Sequence, residues 1–406
     1  MGPRHVIVVG ASLAGTRSAE ALRREGYDGR LTIVGAERHP PYQRPPLSKQ
    51  LLAGQWERAR VDLRVRTLDA ELRLETRATA LDLDSRELVI SDGHGEERLA
   101  FDGMVIATGC RPRTLPNAPQ PGEVEGLHVL RTVDDCLALR RDLESRPTVA
   151  VVGAGFIGCE VAATCRSRGL DVTLIDPLEA PLAQSIGVAM GQVIAQAHED
   201  NGTSLKMRTG VSGVVGNGRV EGVVLDDGSI LAADVVVVGL GVVPSTDWLE
   251  GSGLHLDNGV VCDSRCAAEG ASGVVAAGDV ARWFHPTAGH HVRVEHFDNA
   301  TAQALAAARA LLDGDSAPAY DPVPSFWSDQ YDVKLQLLGS PEPNDRVEVM
   351  EGDVRGGRFI AAYERDGRTV AALSMNEPAR LRAYRPLVAE RLPFPTSARD
   401  PAEPPG

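Results

Sequence analysis

Two apolar runs, each closed by a glycine-rich turn and followed by a helical pattern and a second apolar run, predict an α/β protein with two Rossmann-like dinucleotide-binding folds. A C-terminal stretch of strand-like runs without a glycine fingerprint predicts a smaller α+β domain. The first run is His5-Val-Ile-Val-Val-Gly10, rich in β-branched residues, and Gly10-Ala-Ser-Leu-Ala-Gly15 follows at once. A helical pattern continues to about Arg24, and Leu31, Ile33 and Val34 mark a second strand ending near Glu37. This is a βαβ unit of dinucleotide-binding length. Gly10 makes the tight turn out of the strand, and Gly15 allows close helix–strand packing. A pyrophosphate would sit on the free N–H groups at the helix start, where the dipole favours an anion. Glu37 is placed to accept hydrogen bonds from a ribose. Ser12 replaces the middle glycine, a small side chain at a crowded point.

The pattern returns in full. Val149-Ala-Val-Val-Gly153-Ala-Gly155-Phe-Ile-Gly158-Cys-Glu160 carries all three glycines, and Asp171-Val-Thr-Leu-Ile-Asp176 supplies a second strand with a terminal acid. Such an internal repeat predicts two bound dinucleotides.

Composition sets the bounds. A chain of 406 residues allows about two to three domains, and 43% hydrophobic content is ample for buried cores. No apolar run of about 18 residues occurs, and the N-terminus enters a strand directly, so neither a membrane span nor a signal peptide is expected. Cys110, Cys136, Cys159, Cys165, Cys262 and Cys266 are scattered without metal-site pairing, which predicts no metal site and a reduced, cytoplasmic protein. A net charge of −14 argues against nucleic acid as a partner.

After Glu37, prolines around Arg44 predict a stiff, extended loop carrying Arg44 and Lys49, able to hold positive charge against a flavin ring. The alternative is a surface loop with solvated cations. Residues 50–100 read as a helix followed by short strands with a turn at Asp92-Gly93. Phe101 to Gly109 is a further strand, and Ala107, Thr108 and Gly109 lie where the chain can again approach a cofactor. Residues 114–126 form a proline- and glycine-rich crossover, and Thr132 is expected to cap the next helix. Ala233 to Pro244 is a buried strand with a turn at Gly239 and Gly241, closing the second fold. Ser272-Gly-Val-Val-Ala-Ala-Gly278-Asp279-Val280 delivers Asp279 to a strand's carboxyl end, where ligands sit in open α/β sheets. Asp279 can accept from a ribityl or ribose hydroxyl, or else cap a helix. Cys262 and Cys266 read as unlinked structural thiols. The expected boundaries are 1–112 and 244–317 for the two parts of the first dinucleotide-binding domain, 113–243 for the second, 318–392 for the C-terminal domain, and a disordered tail over 393–406.

With these residues placed, the chain resembles the flavin-dependent pyridine-nucleotide disulfide oxidoreductases of glutathione-reductase-like fold. It is most similar to the NADH-dependent ferredoxin reductases that serve bacterial oxygenases. The resemblance spans nearly the whole chain and rests on Arg44-Pro-Pro-Leu-Ser-Lys49, Ala107-Thr-Gly109, Leu130-Arg-Thr132, Gly153 to Glu160, Gly278-Asp279, Val294-Glu-His296 and Phe326-Trp-Ser-Asp-Gln-Tyr331. It makes the first dinucleotide-binding domain the FAD-binding domain and the second the NADH-binding domain. It implies FAD contacts from Gly10, Ser12, Ala14, Gly15, Glu37, Arg44, Lys49, Ala78, Ala107, Thr108, Gly109, Arg131, Asp279, Val280, Phe297 and Trp327. It implies NADH contacts from Gly153, Gly155, Phe156, Ile157, Gly158, Glu160, Asp176, Gly239, Gly241 and Glu295. Two departures matter: Ala36 stands where relatives often carry an acid, and Phe297 replaces a tryptophan common beside the flavin.

The implied chemistry is hydride transfer from NADH to FAD, with Lys49, and Arg44 beside it, stabilising the reduced flavin. Asp176 favours NADH over NADPH, because it accepts from a ribose 2′-hydroxyl and repels a 2′-phosphate. Disulfide reductases of this fold carry redox cysteines after the first cofactor strand, and the Arg44–Lys49 segment has none. Electrons are therefore expected to leave singly to an iron–sulfur ferredoxin that feeds a haem-thiolate or Rieske-type oxygenase, with no nucleic-acid or membrane partner. The alternatives on this frame are a rubredoxin reductase, an NADH oxidase, or a redox-regulated flavoprotein of the apoptosis-inducing-factor type.

Overall fold

The computed structural model describes residues 3–63, 68–116 and 118–395. The chain forms two compact units. The first comprises the chain up to Gln43, Ala59–Arg111 and Val242–Pro322; the second comprises Arg44–Arg58, Pro112–Gly241 and the chain from Val323.

In the first unit a five-stranded parallel sheet runs in the order Val274–Ala276, Gly103–Ile106, His5–Val9, Arg30–Val34, Glu71–Arg73. Its central strands are apolar on both faces, as a parallel sheet covered on both sides requires; Val6, Ile7 and Val8 are fully buried. The helices Leu13–Arg24 and Phe297–Asp313 pack against each other, and the second buries Ala300, Ala304, Ala307 and Ala308. A three-stranded antiparallel sheet, Arg77–Asp82, Glu87–Ser91 and Glu96–Ala100, lies apart from the parallel one. The expected turn at Asp92-Gly93 is present, with the Asp92 carboxylate accepting the amides of His94 at 2.8 Å and Gly95 at 3.2 Å.

The second unit repeats the architecture. Its parallel sheet runs Ser204–Met207, Val172–Asp176, Val149–Val152, Val235–Val238, Leu127–Val129. Thr132 caps the helix Val133–Asp142 in a reciprocal box with Asp135, which satisfies amides that the helix leaves unpaired. The C-terminal part is a five-stranded antiparallel sheet in the order Ser325–Gln330, Val333–Gly339, Arg368–Met375, Arg358–Arg365, Arg346–Asp353. Its short helices Pro378–Leu381 and Arg385–Ala389 contribute Leu381 and Val388 to a small core with Leu338, Met350 and Ile360.

Residues 44–58 lie in the second unit, which holds the C-terminal sheet together with the 113–243 fold. Residues 318–322 lie in the first unit, where the Tyr320 carbonyl accepts from Trp283 Nε1 at 3.2 Å. Three expectations of local structure are corrected. The Arg44–Lys49 segment is not extended: Pro45–Ser48 is a 3-10 turn, and Arg44 itself is helical. Burial of Leu47 and bonds from Leu47 N to Arg44 O and Lys49 N to Pro46 O outweigh the usual bias of a residue before proline. Beyond it, residues 50–56 form hydrogen-bonded turns rather than an α-helix. Finally, the tail does not begin at Pro393. Pro393 bridges to Arg368, the Phe394 amide donates to Gly367 O, and Phe394 packs on the small C-terminal core; residues 396–406 lie outside the described residues.

Candidate functional site

Four parallel strands of the first unit end side by side, and the residues that follow them are the ones singled out in sequence. Gly10 follows His5–Val9, Glu37 lies three residues beyond Val34, Ala107, Thr108 and Gly109 follow Ile106, and Asp279 and Val280 lie just past Ala276. Gly10, at φ +120°, takes a conformation L side chains rarely adopt, and a Cβ there would stand 2.1 Å from the Ala107 carbonyl oxygen. At Gly15 a Cβ would stand 1.7 Å from Gly10 O, so both glycines are required for helix and strand to close. A Cβ at Gly278 would meet that of Ala14 at 2.7 Å, which puts the Gly278-Asp279 turn against the start of the helix. That turn is held from below: the Gly278 amide donates to Gln303 Oε1 at 2.9 Å. Glu37 accepts from the Tyr42 hydroxyl. The strand containing Ala78 is led in by Thr76 N to Gly35 O at 2.9 Å and Glu75 N to Glu37 O at 3.2 Å.

Ser12 is the extended N-cap of the helix but makes no side-chain cap bond, and the first turn contains no acid. A helix start of this kind offers its amides and the positive end of its dipole to an anion. These residues fit the adenosine diphosphate half of an FAD. Phe297 opens the helix Phe297–Asp313 with His296 as its N-cap, and Glu295 is ion-paired with Arg293 at 2.7 Å.

The second unit builds the same turn. A Cβ at Gly153 would lie 2.3 Å from Gly239 O, and one at Gly158 would lie 1.8 Å from Gly153 O. Gly155 differs: it is exposed, and a Cβ there would meet nothing within 4 Å. Ile157 beside it is 44% exposed, and Phe156 is half-buried. Gly155 is also the N-cap of the helix Phe156–Ser167, with no acid in the first turn. The room above Gly155 and the unpaired amides fit a pyrophosphate. Asp176 ends its strand and accepts the Ala154 amide at 2.6 Å and the Leu178 amide at 2.8 Å, so its carboxylate is fixed beside the glycine turn. Gly241, at φ +82°, accepts the Arg113 amide at 2.9 Å through its carbonyl.

Of the residues assigned to FAD, Arg44, Lys49, Arg131 and Trp327 lie in the second unit. Arg44 donates to the Arg131 carbonyl, and the Arg131 amide donates to Asp135 at 3.0 Å. Trp327 is half-buried between the buried Phe326 and Ser328, so strand alternation turns it to the opposite face. Glu160, grouped with NADH by sequence, does not join Gly155 and Ile157 on the open face. It is 3% exposed and ion-paired with Lys49 at 2.7 Å, and it also accepts from the hydroxyls of Ser48 and, at 2.8 Å, Ser328. The sequence reading missed this pairing, along with Ser328, Gln330 and His198 behind it. The only sequence signal was the polar face of Phe326-Trp-Ser-Asp-Gln-Tyr331.

All six cysteines are buried. Burial raises the Cys136 and Cys165 thiols to about 12 and moves Cys262 well upward, leaving them poor nucleophiles. Among the described residues no group of acids, histidines and cysteines could hold a metal ion, and no helix is long and apolar enough to cross a membrane.

Two nucleotide folds with dedicated glycine turns and a separate C-terminal sheet define a two-dinucleotide oxidoreductase. The chain belongs to the pyridine nucleotide-disulphide oxidoreductase family, whose model matches residues 4–304, and a reductase C-terminal domain matches residues 325–404. It is 37% identical to the ferredoxin–NAD(+) reductase component of the anthranilate 1,2-dioxygenase system of Burkholderia cepacia, over 97% of each chain. It is 35% identical to rhodocoxin reductase of Rhodococcus erythropolis, over 97% of this chain and 92% of that one. Among solved structures, the covalent putidaredoxin reductase–putidaredoxin complex superposes with a TM-score of 0.90 at 32% identity, covering 97% of this chain and 94% of that one.

Proposed function

We propose that the chain is an FAD-dependent ferredoxin reductase that takes a hydride from NADH and passes single electrons to an iron–sulfur ferredoxin serving an oxygenase. The observation that carries this reading is the paired glycine turn: two closed turns, at Gly10 and Gly153, each with an adjacent strand leading to an acid, Glu37 and Asp176. The full-length relatives named as ferredoxin–NAD(+) reductases support the acceptor class. Bound FAD supplies the two-electron to one-electron conversion.

The chain's own residues do the rest. The amides beyond Ser12 and Gly155 take the two pyrophosphates. Glu37 and Asp279 orient sugar and ribityl hydroxyls, and Asp176, locked by Ala154 and Leu178, presents its remaining acceptor capacity to a ribose 2′-hydroxyl. Lys49 is held in place by its ion pair with Glu160, and a fixed cation stabilises an electron-rich reduced ring better than mobile water does. With every cysteine buried and none in the Arg44–Lys49 segment, no cysteine relay competes for the electrons.

The test is NADH-driven cytochrome c reduction with and without an added iron–sulfur ferredoxin. Strong stimulation by ferredoxin is expected. Brisk oxygen consumption without stimulation would make the protein an oxidase, and a stably reduced flavin without turnover would make it a redox-regulated binding protein.

A further inference from the structure

Behind Lys49 and Glu160 the second unit contains a buried chain of polar side chains that the proposed chemistry does not use. Ser328, Gln330 and His198 are 0%, 3% and 0% exposed. Phe326, Ser328 and Gln330 share one face of their strand, and that face packs on the helix bearing Glu160: the Phe326 ring lies 4.3 Å from Phe156. Glu160 Oε2 takes Lys49 Nζ at 2.7 Å together with the Ser48 hydroxyl, while Oε1 takes Ser328 Oγ at 2.8 Å. Ser328 Oγ accepts from Gln330 Nε2 at 3.1 Å, and Gln330 Oε1 lies 3.1 Å from His198 Nε2. His198 Nδ1 lies 3.0 Å from the Tyr331 hydroxyl, which lies 2.8 Å from Thr203 Oγ1.

The direction of this chain follows from what each group can do. The Gln330 amide oxygen only accepts, so His198 donates through Nε2 and accepts through Nδ1. Burial lowers the His198 pKa to about 4, which keeps the ring neutral and the tautomer single. Gln330 then donates to Ser328, whose own hydrogen is left for Glu160. Every donor points towards the carboxylate.

We propose that Ser328 is a positioning residue for hydride transfer: it saturates Glu160 Oε1, and so fixes Oε2 and the Lys49 ammonium that pairs with it. The inference rests on the proposed role of Lys49. It gives the C-terminal sheet a part in the reaction, through a hydroxyl that touches no substrate.

The experiment compares Ser328→Ala, Ser328→Thr, Gln330→Met, Lys49→Met and the Ser328→Ala/Lys49→Met double variant in the FAD-loaded protein. Four readouts are used: the limiting rate of flavin reduction, NADH affinity, the flavin midpoint potential, and the unfolding temperature of the FAD-free protein. Losing one hydrogen bond to a charged group predicts about a tenfold lower limiting rate for Ser328→Ala. NADH affinity should be unchanged and the midpoint potential lower. Threonine keeps the hydroxyl and should restore both. Gln330→Met, which frees the Ser328 hydroxyl to rotate, should lose about threefold. In the Lys49→Met background, Ser328→Ala should cost nothing further, because the two act through one carboxylate. A folded Ser328→Ala or Gln330→Met protein with wild-type rate and potential would overturn the proposal. So would a full extra loss in the double variant, which would mark Ser328 as structural only. Wild-type rate and potential in Lys49→Met would overturn the role of Lys49, and this inference with it.

Discussion

Replacing Gly155 by alanine separates nucleotide binding from folding, because this glycine alone of its motif has empty space above it. Its φ of −74° and ψ of −175° suit any L residue, and a new methyl meets no atom within 4 Å. Two small terms act on stability. Alanine is a poorer N-cap than glycine by about 0.5 kcal/mol, while its smaller unfolded-state entropy returns about 0.4–1 kcal/mol. The net is near zero, so the unfolding temperature should move by less than about 2 °C. The methyl nevertheless occupies the space in which a pyrophosphate would lie on the helix amides. Losing that approach should weaken NADH binding at least about tenfold, or about 1.4 kcal/mol. Gly158→Ala is the contrast: its methyl would lie 1.8 Å from Gly153 O, so strand and helix must separate, at a cost of about 3 kcal/mol or more. The assay pairs thermal unfolding with NAD+ titration of both variants. Gly155→Ala with unchanged affinity would refute the placement of the pyrophosphate, and a stability loss matching that of Gly158→Ala would refute the claim of open space.

Asp176→Arg should move preference from NADH towards NADPH, at a stability cost of about 1–3 kcal/mol, because the Ala154 and Leu178 amides lose their acceptor; steady-state selectivity and a melting curve check both. Lys49→Ala should slow flavin reduction with FAD still bound, and should destabilise the apoprotein by about 3–5 kcal/mol, because Glu160 is then buried without its cation; a stopped-flow trace and urea unfolding test it. His198 sets an acid limb on stability. Its folded pKa of about 4 lies below the ordinary 6.5, so between those values the unfolded chain binds a proton that the folded one does not. Stability should therefore fall as the pH drops through that window, by about 1.4 kcal/mol per unit. Urea unfolding of His198→Asn at pH 7 and pH 5 should show a shallower fall than the parent protein.

What could be read from sequence was local. Each βαβ unit is contiguous, its glycines answer to backbone contacts a few residues away, and the acids Glu37 and Asp176 follow from strand length alone. The Thr132 cap is likewise a matter of three residues. Errors arose where distant chain decides. Proline chemistry predicts an extended Arg44–Lys49, but its conformation is set by burial of Leu47 and by Ser48 and Lys49 reaching a carboxylate more than a hundred positions away. Proline bias amounts to little beside a buried leucine and an ion pair.

Glu160 shows the same limit at the site itself. Its place in the glycine motif put it at a nucleotide, and nothing within twenty residues hinted otherwise. Helix residues four apart share a face, so Glu160 lies one turn beyond Phe156, on the side that Phe156 turns to Phe326, and away from the open end at Gly155. That turn is covered by the strand Ser325–Gln330, whose inward positions are Phe326, Ser328 and Gln330. In a buried strand face two polar residues in succession are costly unless each finds a partner. The apolar Phe326 and polar Ser328 and Gln330 therefore already required an acceptor and a donor across the interface, and Glu160 and His198 are the groups that meet the requirement. The pattern was present in the sequence, but its partners became identifiable only once the strand was laid on the helix.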